Sequence, residues 1–520
     1  MKQLYILPIL LLLFAACNRD DSTGIIRSVS EITIEDETEE LNVDFGFELI
    51  RKANVTQTMP DVPLTYEWAA APYTSETATD TLKVISEEEE LHYTFRQRGK
   101  HRLRLKVFNG HEAVFKDYIV WVNAAFEEGI MLLAEDENGE GNLSFLKTLT
   151  PEEIEAGVEE KILEHCFSTV NPGIDMKNPI GFIKIPGDDW FGKQPKFIIA
   201  MPDKIYFANP STLELIGTTP IDGEYKGETA KTFIASDYSY CTPFIQTHSG
   251  KIIHINKDYY FLFNNSSTFY ENAHNYEQLI TQYFIASGNA GIHTALFLLN
   301  YSTSTLCALD LGLNMPVESK NLLKNEDIVT IFKENNAQYI SRLYSISSTK
   351  GDNSQMHIRL LKINYDKLDW ETGQHKVSIQ ETTKYSYTLA SGDKCPAQGT
   401  QLVGCSTYGM ALWHEGSEIY AWNYLNPEPK FPNKPVIDVK QADNAGTNIE
   451  ITYMTTSNAL QNYTPVNIDQ WLYVGVYDKD TKRGSLYIYD CTKIGQPGLK
   501  PYKQFDNQTD RIKFITDKTR

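Results

Sequence analysis

The sequence predicts an all-β protein in two parts, a small β-sandwich followed by a β-propeller of about seven blades. Three observations carry that expectation. Over residues 25–124, short β-rich runs recur roughly every 10 to 15 residues, the spacing of a sandwich. Beyond residue 125, pairs of such runs joined by polar turns recur with starts roughly 45 to 70 residues apart, the period of propeller blades. Aromatic residues make up 12% of the chain, including 30 Tyr, which suits strands. A stack of two β-sandwiches is the rival for the second part.

Residues 1–16 read as a leader. Lys2 gives the charge, Leu4 to Phe14 an apolar run broken only by Pro8, and Ala15-Ala16 a small-residue cleavage site. The run is too short to span a bilayer, which takes about 20 residues. Cys17 follows at the cut, and the whole resembles a bacterial lipoprotein signal, which implies acylation of Cys17. Several acyl chains would hold the protein on a membrane stably. Residues 17–24 form the lipidated linker. Its Asp20 and Asp21 resemble the surface-export signal of Bacteroidetes lipoproteins, implying an outer-membrane lipoprotein that faces outward.

Charge excludes one class of partner. The formal net charge is -20, and a nucleic-acid surface must be basic. Seven cysteines are present. Cys166, Cys241, Cys307 and Cys491 lie in apolar contexts, where a cysteine packs as a small hydrophobe. Cys395 and Cys405 are near enough in sequence to close a small loop, and exported proteins form disulfides, so this pair is the candidate bridge. No C-x-x-C occurs.

In the first part, strands are expected at Ser28–Ile34, Leu41–Ile50, Leu64–Ala70, Leu82–Ile85, Leu91–Phe95, Arg102–Phe108 and Val114–Val122. Arg102 to Val107 alternates cation and aliphatic, which puts the apolar residues on one face. Asn109-Gly110 supplies a turn. Trp68 is the expected core aromatic. Glu87 to Glu90 read as a solvated loop. The Tyr66-Glu67-Trp68 strand and the later Gly99-Lys100-His101-Arg102-Leu103-Arg104-Leu105-Lys106-Val107 strand resemble PKD-type immunoglobulin-like domains, although Arg102 stands where Tyr is usual. With the leader ahead and a long β-rich body behind, the chain resembles the PKD-like family of Bacteroidetes lipoproteins. That resemblance implies an accessory of a Sus-type nutrient-uptake system, with an outer-membrane transporter as partner.

In the second part, residues 125–520, seven strand pairs are expected: Gly129–Leu149, Pro195–Thr218, Lys251–Tyr270, His293–Leu313, Tyr339–Trp370, Met410–Lys430 and Trp471–Lys493. Arg511 to Thr516 alternates like a strand and is expected to pair with the blade begun near residue 129. Two segments break the pattern. Thr150-Pro151-Glu152-Glu153 starts a helix with Thr as cap, and Ile154, Val158 and Ile162 would share its buried face. Ala273 to Phe284 is expected as a second short helix. Glu135 to Asn142 and Asp478 to Gly484 carry alternating oxygens, but no later bidentate Glu completes a calcium loop, so hairpin turns are expected.

No catalytic constellation is legible. H-E-x-x-H, G-x-S-x-G, the P-loop and G-x-G-x-x-G are all absent. No metal or cofactor is expected; His248 and His254 flank a turn without further ligands. What remains is aromatic. Asp188-Asp189-Trp190-Phe191 sets two rings in a glycine-bounded acidic loop, and Trp190 with Asp188 and Asp189 is the candidate ligand contact. Tyr238, Tyr240, Tyr270 and Tyr276 flank expected strands, whereas Trp413, Trp422 and Trp471 fall inside them and are expected in the core. The function expected is non-catalytic binding of a glycan or peptide in nutrient uptake. A propeller-based glycan lyase or hydrolase, and a structural partner of a transporter, are the alternatives.

Overall fold

The structure is a computed structural model. It describes residues 29–74, 81–155, 157–185, 194–221, 225–234, 243–256, 261–263, 276–285, 292–310, 315–318, 322–334, 342–365, 377–428, 430–457, 459–461, 464–466 and 469–518. The chain divides into two compact units, Met1–Ala124 and Ala125–Arg520. No helix among the described residues is long and apolar enough to cross a membrane.

The first unit holds a five-stranded sheet ordered Glu40–Asp44, Ala113–Asn123, Gly99–Phe108, Thr65–Pro72, Lys83–Ser86. Glu40–Asp44 runs parallel to its neighbour and the other pairings are antiparallel. Two short ladders accompany it, Ile32–Ile34 with Val55–Gln57 and Glu48–Lys52 with Glu90–Thr94. The alternation read in Arg102 to Val107 decides which face is buried: Leu103, Leu105 and Val107 are fully buried, and the intervening cations are half-exposed. Trp68 is fully buried and donates its indole N–H to Glu88 O at 3.0 Å. Gly110 turns the hairpin at φ 89°, while the Asn109 carboxamide oxygen accepts from the His111 and Glu112 amides. Arg51 and Tyr118 both donate to the Asp36 carboxylate, at 2.6 and 2.7 Å.

Among the described residues, the second unit is a succession of seven four-stranded antiparallel sheets, with one two-stranded ladder, Ala459–Gln461 with Thr464–Val466. In chain order, the second contains Gly181–Ile185, Lys196–Ala200, Lys204–Ala208 and Leu215–Pro220. The third contains Ala230–Ile234, Phe244–Thr247, Ile252–Asn256 and Phe261–Phe263, and the fourth Gln278–Ile285, Ile292–Asn300, Thr305–Asp310 and Met315–Glu318. The fifth contains Glu326–Lys333, Leu343–Thr349, Asp352–Tyr365 and Val377–Thr388. The sixth contains Val403–Cys405, Met410–Glu415, Glu418–Asn423 and Ile437–Asp438. The seventh contains Ile449–Thr456, Trp471–Asp478, Arg483–Asp490 and Lys503–Thr509.

The first sheet differs. Its own strands are Gly129–Glu135, Gly141–Lys147 and Ile162–Leu163, and its fourth is the last strand described, Arg511–Lys518. Gly129 pairs with Lys518 and Glu135 with Arg511, with one bulge between Leu133 and Ala134. Arg511–Lys518 also lies beside the first strands of the second and seventh sheets. Apolar clusters fill the spaces between the second and third, third and fourth, fourth and fifth, fifth and sixth, sixth and seventh, and seventh and first sheets. The unit is therefore β-propeller-like, with sheets packed face to face in succession.

Both helix expectations need correction. The Thr150 capping box is present: the Thr150 amide donates to Glu153 Oε2 at 2.9 Å and the Glu153 amide to Thr150 Oγ1 at 3.3 Å. The helix it starts is only Pro151–Glu155, however, and Ile154 and Val158 are exposed while Ile162 opens a strand. A cap specifies a start, but five residues make too little ladder to bury a face. In the other segment, Gln278–Ile285 is a strand, the edge of its sheet, paired with Ile292–Asn300 along its whole length.

Candidate functional site

Cys17, Asp20 and Asp21 lie outside the described residues, as do Asp188, Asp189 and Trp190. The proposed Cys395–Cys405 bridge does not form: both are free thiols. They face opposite sides of the sixth sheet. Cys395 packs in the cluster shared with the fifth sheet, and Cys405 in the cluster shared with the seventh. Trp413 and Trp422 are fully buried, as expected of core rings. Tyr276 is buried and lines no exposed platform. His254 packs its ring on Phe244, 5.3 Å between centroids. Among the described residues, no group of three or more His, Cys, Asp or Glu is placed to hold a metal ion.

Trp471 departs from expectation. It opens the second strand of the seventh sheet, where its amide donates to Ser457 Oγ at 2.9 Å. Its ring is only half-buried. It stacks on Tyr502, with centroids 4.7 Å apart and planes 20° apart. Tyr502 follows Pro501 and is anchored by its backbone, its amide donating to Ile488 O at 2.7 Å. Its side chain stays 59% exposed, so one face of the pair is open to solvent.

The two rings border a cleft of about 320 Å³ between the first and seventh sheets. Tyr473 and Asp517 lie in its wall, the phenol donating to Asp517 Oδ1 at 2.6 Å. Burial, then the Asp517 charge, pushes that phenol's pKa above its ordinary value. Lys184 stands near the same carboxylate; burial lowers its ammonium pKa and Asp517 partly offsets this. Lys503 bonds both oxygens of Glu160, at 2.5 and 2.7 Å. The cleft lining carries Lys147, Lys503 and Lys518 against Glu128, Glu160 and Asp517, so its charges balance. An aromatic platform beside paired polar groups suits reversible contact with a ligand of little net charge.

Sequence reasoning missed this site because one ring opens a strand and the other stands in the bend just before another strand of the same sheet. The local signal was thin: an exposed Lys500-Pro501-Tyr502 segment, and a Trp at a strand's first residue after polar Asp469-Gln470.

No protein-family profile matches the chain, and no curated protein does. Solved structures are similar at low identity. A quinoprotein alcohol dehydrogenase-like protein from Bacteroides thetaiotaomicron is 13% identical, with a TM-score of 0.45 over 94% of this chain and 99% of that one. BBS1N, solved with ARL6DN, is 10% identical, with a TM-score of 0.30 over 68% of this chain and 90% of that one. An apocarotenoid oxygenase of Synechocystis is 11% identical, with a TM-score of 0.26 over 95% of this chain and 97% of that one. At these scores they carry no argument about activity.

Proposed function

We propose that this chain is a lipid-anchored, outward-facing outer-membrane protein that binds a glycan or peptide without turning it over, as the accessory of a nutrient-uptake transporter. The second unit is read as a seven-bladed propeller closed by Arg511–Lys518, and the first as a PKD-like spacer. The leader with Cys17, and Asp20 and Asp21 behind it, supports the anchor and its orientation. The observation that carries the binding reading is the open Trp471–Tyr502 pair beside a charge-balanced cleft. A ring face accepts the apolar face of a sugar or an apolar side chain, and the paired lysines and carboxylates offer hydrogen bonds around it. Tyr473 is poorly suited to act as a general base, because it would first have to lose its own phenol proton, and burial with the Asp517 charge beside it opposes that loss.

The test uses the purified chain against panels of glycans and peptides. Tyr502→Ala and Trp471→Ala should each weaken binding by about 1–3 kcal/mol. Tyr502→Ala should leave the melting temperature unchanged, since its ring is mostly exposed. Binding unaffected by either substitution would remove the cleft as the seat. A ligand shortened on incubation would replace the binding reading with the hydrolase or lyase one.

A further inference from the structure

Two of the five described thiols, Cys405 and Cys491, are buried in the same apolar cluster. Cys405 ends the first strand of the sixth sheet, and Cys491 follows the third strand of the seventh. They are 0% and 1% exposed and sit in one apolar cluster. Of the groups around the Cys405 thiol, Cys491 acts on it most strongly. The backbone enforces the meeting. The Thr407 amide, two residues past Cys405, donates to Asp469 Oδ2 at 2.8 Å. The Cys491 amide donates to Gln470 O at 3.1 Å. Both cysteines are thus held to the same dipeptide, Asp469-Gln470. No other pair of the described cysteines shares a cluster.

We propose that Cys405 and Cys491 are a modification site, a thiol pair that a disulfide-bearing oxidant closes into a bridge between the sixth and seventh sheets. Two S–H bonds break and one S–S bond forms. Two protons and two electrons leave, and the oxidant's disulfide takes them up to become a dithiol, by way of a mixed disulfide. Attack requires a thiolate, and contact with Cys491, then burial, holds the Cys405 thiol in its protonated form. Closure therefore belongs to folding, before the two sheets bury the pair, and the finished bridge is shielded from reductants. Gln470 directly precedes Trp471, so the bridge braces the strand end that carries the aromatic platform.

The test does not depend on the ligand or on the anchor. The full chain is reduced, unfolded and refolded in mixed oxidised and reduced glutathione, then unfolded with an alkylating reagent and digested. The expected result is a linked peptide joining Cys405 to Cys491, about 2 Da lighter than its reduced parts, with Cys395 alkylated. The linked form should melt higher than the same protein after reduction. Cys405→Ser and Cys491→Ser should each remove that difference, and the double variant should remove no more than either. Alkylation of both Cys405 and Cys491 after refolding, or glutathione adducts in place of the link, would overturn the assignment.

Discussion

Glu326 opens the fifth sheet with its carboxylate 8% exposed, facing an Arg359 that is 3% exposed. Arg359 donates to both of its oxygens, Ser347 Oγ donates at 2.6 Å and Lys384 Nζ at 3.0 Å. Burial alone would raise the carboxyl's pKa, but the hydrogen bonds from Arg359, Ser347 and Lys384 outweigh it and hold it at about 2. The folded value lies below the ordinary 4.5, so the group's contribution is complete above that pH and is lost as pH falls toward 2. Glu326→Gln should destabilise at neutral pH by less than the about 3–5 kcal/mol of a wholly unpaired buried charge, because it leaves Arg359 with only the partly exposed Glu381, at 2.7 Å, as counter-charge. The variant's stability should also fall less steeply than the wild type's between pH 4.5 and 2 in urea titrations. Parallel pH profiles would show that the network does not govern acid unfolding.

At the scale of elements, what was legible follows burial. Each of the seven strand pairs expected from sequence falls in a different one of the seven sheets. Six of them are the two central strands, covered on both faces, so they read as unbroken apolar runs such as Gly129–Glu135 and Trp471–Asp478. The third pair is displaced outward by one strand. Edge strands such as Val403–Cys405 and Ile437–Asp438 are two or three residues long and give no periodicity to read. In the first unit, one expected run, Leu41–Ile50, is two strands split at Gly46, whose φ is 82°. The cleft was illegible because nothing local marks which rings the sheets bring together. The tight hairpins make a testable point. A Cβ on Gly484 would stand 2.0 Å from Asp510 O, a backbone atom that cannot swing away. Gly484→Ala should therefore lower the second unit's melting midpoint, as overpacking of about 1–3 kcal/mol does. Gly416→Ala is the control for positive φ alone, since φ is 62° there with no atom within 4 Å of the added carbon. Gly484 has no positive φ, so an unchanged midpoint in Gly484→Ala would mean that the Asp510 carbonyl gives way and the close approach costs little.

For the second unit as a whole, the decisive strand is Arg511–Lys518. It supplies the first sheet with a fourth strand and buries Ile512 and Ile515 in the cluster between the seventh and first sheets. It also carries Asp517, the acceptor for Tyr473, and Lys518, whose ammonium donates to Glu127 O at 2.7 Å. Removing residues 508–520 exposes the Gly129–Glu135 edge and uncovers Leu132 and Leu486, both fully buried. If the sheets close on one another through this strand, the loss spreads through the unit. The whole transition of the second unit should then shift down, with no small early step confined to the first sheet. A milder variant separates closure from simple loss of mass: Ile512→Ala keeps the ladder and empties a fully buried site, which should cost about 2–5 kcal/mol. Hydrogen exchange gives the finer readout. In the truncated chain, amides of the seventh sheet, at Val474 and Val476, should lose protection together with those of the first, at Leu132 and Leu133. A truncated protein that melts normally, or one that loses protection only in the first sheet, would show that the seven sheets stand as an open row and that Arg511–Lys518 merely borders it.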